Sequence, residues 1–531
     1  MRDFHFPGRS AVFATSGMAA TSMPIATLTA LDVLRAGGNA VDAAIAACAV
    51  LGVVEPASTG IGGDCFCLYV PAGSGEVFAV NGSGRAPAAA TIDFFEDAGI
   101  SALDNTSPHT VTVPGAISAW QLLLDRFGTK GFDELLEPAA RYAAEGFPVH
   151  QRVAHDWTFE VEKLERAGNK RFLPGGAAPA QGTLFVQQEL AATLRAIGRS
   201  GAAAFYEGPV AADMVATLRE KGGLHTEEDF SRGKTVAEFV TPITRAWNGY
   251  DVWQCPPNGS GMVVLEILGL LERLGKAPDG PMGPVRLHRH VEAARLAYRD
   301  RDAFLADPSQ VEVPVEKLIG DAYLADLARL IDDDRMLEPL PAAGEAFLPA
   351  HTDTVYLCVV DRDGNACSFI NSLFQPFGSG ILAEGSGVLL QNRGFGFRLE
   401  RGHPNCIAPN KRPMHTIIPG MVTLGGRAVM PYGVMGGHFQ PMGQTLFLSN
   451  FFEHGLDVQQ ALDAPRLFLQ NGAVETERGI PQATRQGLLA RGHRLADIVK
   501  PHGGGQAIFI DPRGFLVGGS DPRKDGIALG Y

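Results

Sequence analysis

A threonine hydroxyl is a weak nucleophile unless a base stands beside it. One economical base is the α-amine of the same residue, when that residue begins a chain. The stretch "HTDTVYLCVVDRDGNACSFINSLF", residues 351–374, raises that chemistry, because Thr354 stands at the mouth of an apolar hairpin pattern. An α-amine has an unperturbed pKa of about 7.7–8, so part of it is neutral and can take a proton near physiological pH. An internal threonine reaches that state only if the bond before it, here Asp353–Thr354, is cut. Attack by the Thr354 hydroxyl on that bond would give an ester that water hydrolyses, so the chain could open itself. Thr352 is the second candidate. Spacing alone does not distinguish either from an ordinary β-branched strand residue, which is what most such threonines are.

Other motifs fail, and each failure excludes a chemistry. "SRGKTV" contains Gly233-Lys234-Thr235, but a phosphate-binding loop needs glycine where Glu228 stands. "GIGGDC" begins like a dinucleotide fingerprint, yet Cys65 occupies the third glycine position. "DRDGN" at 361–365 starts like a calcium loop, but its Gly comes early and no Glu closes it, so a hairpin turn is expected. Cys65 and Cys67 form a CxC pair with no second pair or nearby His to complete a metal site. His288 and His290 lie two apart, on different sides of a helix, and read as surface residues. Neither a metal nor an organic cofactor is called for.

The elements that would position Thr354 follow from the rest of the chain. At 531 residues the chain needs more than one folding unit or one large layered unit. A net charge of −13 argues against nucleic acid or an anionic membrane as partner. The longest apolar run, "AAIAACAVLGVV" from Ala43, is shorter than the ~18–20 residues of a spanning helix. The first residues show no apolar signal region, and the seven cysteines are scattered, so reduced thiols and a cytoplasmic location are expected. Ile25, Leu28, Leu31 and Leu34 form one helical stripe that stops at Gly37-Gly38, and Asn39 can cap a second helix, apolar all round and therefore buried. Residues 188–221 and 283–336 read as mostly helical, with "HRHVEAARLAYRDRDAFLADP" half-exposed because of its dense charges. From residue 354 short strands dominate, and 337–350 reads as a flexible link. Helices first and strands last suggest an α/β layered architecture with helices outside paired sheets.

Several segments resemble the γ-glutamyltranspeptidase family of N-terminal-nucleophile hydrolases, in the family's order. They include "ALDVLRAGGNAVDAAIAACAVLGVVEPASTGIGGDCF", "TVPGAISAW", "LHTEEDF", "PPNGSG", "AYRDRDAFLADP", "APNKRP" and "GGSDPRKDGIALGY". The segment from Thr354 to Asn392 is similar to the start of the family's small subunit, whose first residue is the nucleophile. The resemblance implies a four-layer αββα sandwich built jointly by a large subunit, 1–353, and a small one, 354–531. It implies cleavage between Asp353 and Thr354, with Thr354 as nucleophile and Ser372 at the position of a second threonine that orients it. Gly436 and Gly437 would supply the backbone N–H groups of an oxyanion hole.

Departures from the family pattern point to the substrate. Ser83 stands where the transpeptidases carry an Arg that grips the α-carboxylate, with Arg85 two residues away. Gly396 replaces the Asp that holds the α-amino group, Phe374 replaces an Asn, and His415 and Thr416 replace paired serines. Arg393, His415, Thr416 and Arg85 remain as substrate-binding candidates. That set suits an anionic amide without an α-amino group, as in the family's oxamate amidohydrolases and glutaryl acylases. The expectation is therefore a self-processing amidohydrolase acting on a small acidic amide such as oxamate. A γ-glutamyl hydrolase or transferase acting on glutathione is the first alternative, and a catalytically silent binding protein the second. The two subunits of one precursor should associate, and a homodimer is left open.

Overall fold

The computed structural model describes residue 5, residues 8–341 and residues 354–531. Asp353, Thr352 and most of the expected 337–350 link lie outside the described residues.

Two seven-stranded antiparallel sheets form the centre. The first runs, edge to edge, through Ile527–Gly530, Met18–Thr21, Val355–Val360, Ala366–Ser372, Asp64–Val70, Phe78–Gly82 and Glu238–Val240. The second runs through Val12–Ala14, Phe515–Ser520, Gly505–Asp511, Arg427–Val434, Gly420–Leu424, Tyr250–Gln254 and Ile243–Trp247. The sheets stack face to face over a shared apolar layer that includes Phe66, Leu68, Tyr356, Ile370, Met421 and Ile508. Strands from both sides of position 354 contribute to both sheets. Val355–Val360 pairs with Met18–Thr21 on one side, and Ala366–Ser372 pairs with Asp64–Val70. The DRDGN segment makes the expected hairpin turn, with Gly364 at φ +88°.

Helices cover the outer faces. Ala40–Val54 lies on the first sheet and all fifteen of its residues are buried, as its continuous apolar character requires. Asn39 accepts from the N–H groups of Val41 and Asp42 while Asp42 accepts from the Asn39 N–H, which closes a capping box. Gly261–Leu274 and Gln440–Leu448 cover the second sheet. Among the described residues no helix is long and apolar enough to cross a membrane.

Two expectations are corrected here. The charged helix Pro284–Phe304 is buried from Arg286 to Arg301 apart from Arg289, not half-exposed. Its charges neutralise one another locally: Arg295 pairs with Glu292, Arg299 with Asp300, and Arg301 with Asp302. Charged residues that find such partners can enter a core. His288 and His290 are correspondingly buried, not on the surface. In the first helix, Pro24–Arg35, Leu31 and Leu34 are buried but Leu28 faces solvent.

Candidate active site

Strand register sets the first row of the site. Val355 faces Asn371, so Thr354, one residue earlier, reaches Ser372, with 3.1 Å between the two hydroxyl oxygens. Ser372 is in turn the strand neighbour of Asp64. Thr354, Ser372 and Asp64 thus lie side by side on three adjacent strands, all buried. The close approach needs the glycine turn of GIGGD, because a Cβ on Gly63 would sit 2.3 Å from the Ser372 carbonyl oxygen.

Asp64 organises the floor. Its Oδ1 accepts from the N–H groups of Gly84 (2.9 Å) and Gly115 (3.1 Å) and from the Gln391 side chain (2.8 Å). Its Oδ2 lies 3.0 Å from His415 Nε2, while His415 Nδ1 accepts from the Ile417 N–H. Nδ1 is therefore the lone-pair nitrogen and Nε2 carries the hydrogen. Burial, reinforced by Arg393 nearby, pulls the His415 pKa down to about 3, so the ring is neutral. Both ring nitrogens are engaged within the protein, which makes His415 a holder of Asp64 more than a contact for substrate.

Arg393 begins a short 3-10 turn, Arg393–Gly396, and is fully buried. It donates to Thr416 Oγ1 at 2.8 Å and to Ser372 Oγ at 3.4 Å, and its guanidinium lies 4.1 Å from the centre of the Phe374 ring. Among the described residues no carboxylate accepts a hydrogen bond from Arg393, and its Nε–H has no partner. Burial lowers its pKa to about 9, partly offset by the charge of Asp64, so it stays cationic at neutral pH. Phe374 holds a left-handed backbone, φ +81°, and its N–H donates to Ser372 Oγ at 2.8 Å. A left-handed phenylalanine costs about 1–3 kcal/mol and persists only where its surroundings over-determine it.

Gly436 and Gly437 follow the strand Arg427–Val434 and lead into the helix Gln440–Leu448. Both have positive φ, +110° and +53°, and a Cβ on Gly436 would lie 3.0 Å from the Gly503 Cα. Neither N–H donates to an acceptor among the described residues. Two such donors ahead of a helix N-terminus suit a developing negative charge. The next residue, His438, faces Phe374 with ring centroids 6.4 Å apart, and the Phe374 N–H in turn donates to Ser372 Oγ, which links the glycine turn to the Thr354 group.

Arg85 does not join this group. Its guanidinium pairs with Asp307 at 3.1 Å and donates to the Asn410 carbonyl, in a separate hollow bounded by Asp229, Glu238 and Arg412. Sequence reasoning missed Asp64, Gln391, Arg301 and His438. The one available signal was Asp64, an acid opening the apolar strand DCFCLYV.

His288, Glu292 and His493 could be considered for a metal, since their donor atoms lie within 4.8 Å of one another. Their hydrogen bonds account for them otherwise. His288 Nε2 lies 2.8 Å from the Asp332 carbonyl oxygen and so donates, which leaves Nδ1 to accept from His493 Nε2 at 2.7 Å. Arg295 takes both Glu292 oxygens.

The buried histidines give the fold a pH dependence. Burial first of all lowers His415 to about 3, and His225 and His493 to about 4. Each is neutral when folded, whereas the unfolded chain takes up protons near pH ~6.5. The unfolded state then binds more protons, so stability is full above ~6.5 and declines as pH falls towards 4. Thermal scans should show Tm level from pH 8 to 7 and falling steadily between 6.5 and 4.5, above the range of ordinary carboxylates. A level Tm across that window would contradict it.

Two stacked antiparallel sheets between helices, with Thr354 heading a central strand, define the αββα fold of the N-terminal-nucleophile hydrolases. The family model for gamma-glutamyltranspeptidase matches residues 26–531, and the chain belongs to that family. It is 36% identical to the glutathione hydrolase-like YwrD proenzyme of Bacillus subtilis (strain 168), over 98% of this chain and 99% of that protein. It is 34% identical to the oxamate amidohydrolase proenzyme of Klebsiella pneumoniae, over 97% and 99%. Among solved structures it is similar to cephalosporin acylase from Bacillus halodurans, at 37% identity and a TM-score of 0.92, covering 100% of this chain and 99% of that one. The protein is an amidohydrolase of this N-terminal-nucleophile class.

Proposed function

We propose that the precursor cuts itself between Asp353 and Thr354 and that the matured enzyme hydrolyses the amide of a small acidic, oxamate-like substrate through a Thr354 acyl-enzyme. The observation that carries the acidic substrate is Arg393: a fully buried guanidinium beside Ser372, with no carboxylate bonded to it among the described residues. Leaving a buried charge without its counter-charge is expensive, and a substrate carboxylate would supply one.

In this reading the free Thr354 amine takes the proton from its own Oγ1, which attacks the amide carbon. The Gly436 and Gly437 N–H groups receive the oxyanion, each worth roughly 2.7–4 kcal/mol in the transition state. Collapse breaks the C–N bond, and the amine's proton leaves with the ammonia. A water, deprotonated by the same amine, then attacks the ester, releasing the acid and restoring Thr354. Ser372 holds the Thr354 oxygen throughout.

Similarity to a glutathione hydrolase-like protein supports a second reading, a γ-glutamyl substrate. Against it, Gly396 offers no carboxylate for an α-ammonium; the Asp302 carboxylate lines the same cavity, with Oδ1 accepting from Arg301 through two N–H groups and Oδ2 without a hydrogen-bond partner among the described residues. The separating experiment measures cleavage of oxamate, glutaramate, glutamine and glutathione by the matured enzyme, as ammonia or cysteinylglycine released. Oxamate or glutaramate should be hydrolysed fastest at equal concentration. Faster release from glutamine or glutathione would replace this reading with the γ-glutamyl one, and no release from any would argue for a silent binding protein.

A further inference from the structure

His438 is 4% exposed, directly follows the Gly436-Gly437 turn, and has no role in the chemistry above. Arg301 Nη1 lies 2.9 Å from its Nδ1. A guanidinium can only donate, so Nδ1 is the lone-pair nitrogen and the ring hydrogen sits on Nε2. Arg301 is itself fixed, since its Nε and Nη2 both donate to Asp302 Oδ1. Burial, with Arg301, Arg393 and Arg398 around it, keeps the imidazole neutral. The result is a single buried donor, Nε2–H, with no acceptor among the described residues. Such a group destabilises the fold if nothing ever meets it. The ring lines a cavity of about 180 Å³ shared with Arg301, Phe374, Phe395, Arg398 and Asp302, whose Oδ2 is likewise without a partner among the described residues.

We infer that His438 Nε2–H binds a second acceptor oxygen of the substrate, beyond the scissile carbonyl, and that Arg301 is the positioning residue that fixes the tautomer. The inference rests on the amidohydrolase reading above and narrows it. The oxyanion donor of Gly437 and the His438 ring belong to consecutive residues, so one small substrate can engage both. The fitting class is the monoamide of a short dicarboxylic acid, one carboxylate oxygen of which would accept from His438 Nε2–H.

The test compares kcat/KM for oxamate and for propionamide, which has a similar shape but no second oxygen, in matured wild type, His438→Phe, His438→Gln and Arg301→Met. His438→Phe should lose roughly tenfold or more on oxamate, mostly through KM, and change propionamide turnover less than about twofold. His438→Gln, whose amide N–H can reach a similar point, should recover most of the loss. Arg301→Met should weaken oxamate selectively, and the His438 ¹⁵N shifts should move from a single Nε2–H tautomer to a mixture. If propionamide turnover is too slow to follow, binding of the product oxalate gives the same comparison. If His438→Phe fails to mature, the Gln and Arg301 variants carry the test. Equal losses on both amides, or no shift of the tautomer in Arg301→Met, would overturn the inference. Should wild type prefer glutamine, the acidic-amide reading falls separately, and His438 is then judged on glutamine against butyramide.

Discussion

Thr354→Ala should stay one uncut chain and hydrolyse no amide. The variant removes only the Oγ1 and methyl of a buried residue that precedes the paired strand Val355–Val360, so the sheets should form unchanged. Both activities should vanish together, because in the proposed mechanism the same oxygen attacks the Asp353–Thr354 bond and the substrate. Wild type, in contrast, should separate on a denaturing gel into pieces spanning 1–353 and 354–531, and the smaller should begin at Thr354 by N-terminal sequencing. Thr354→Ser keeps an attacking hydroxyl and should still mature. A small subunit beginning at any other residue, or a Thr354→Ala protein that is cut, would refute the assignment.

Replacing Arg393 by methionine is the second large effect, and its sign differs between function and stability. Methionine preserves much of the buried volume, so no large cavity complicates the outcome. Loss of a charged hydrogen bond to a substrate carboxylate is worth about 1.5–3 kcal/mol, a roughly ten- to hundredfold fall in kcat/KM on oxamate. A neutral amide should be nearly indifferent, and cleavage at Thr354 should proceed, since it involves no substrate carboxylate. The apo-protein should be no less stable than wild type, because the variant removes a desolvated cation with no carboxylate partner among the described residues. A Tm drop of several degrees, or equal losses on acidic and neutral amides, would make Arg393 structural.

What could be read from the chain divides by the distance over which each feature is specified. The Asn39 cap, the buried Ala40–Val54 helix and the Gly364 hairpin that lines Thr354 up with Ser372 are local patterns, legible residue by residue. The layered architecture came from the shift of texture from helices to strands, whereas its four-layer form and the Gly436-Gly437 turn came through the ordered family segments; the structure has the paired sheets, and both glycines have positive φ. Asp64 stood out only as an acid opening an apolar strand; its role was not legible because it is assembled from Gly84, Gly115, Gln391 and His415, which no local pattern joins. Arg85 was misplaced because nearness in sequence to Ser83 says nothing of where a side chain goes once a strand ends. The helix Pro284–Phe304 misled for a related reason: charge density signals exposure only when the charges lack partners, and here they find them within the helix or one turn away.

The sharing of both sheets by the segments before and after residue 354 bears on the history of each molecule. The uncut precursor folds as one tethered polymer, in which Met18–Thr21 and Val355–Val360 meet at an effective concentration set by the chain. Cutting at Thr354 would remove the tether without removing any pairing. From then on, recovery from complete denaturation would be second order in protein, two fragments having to find each other while each lacks half of its sheets. The mature enzyme would persist through slow unfolding, holding a form that it reached only by way of its precursor.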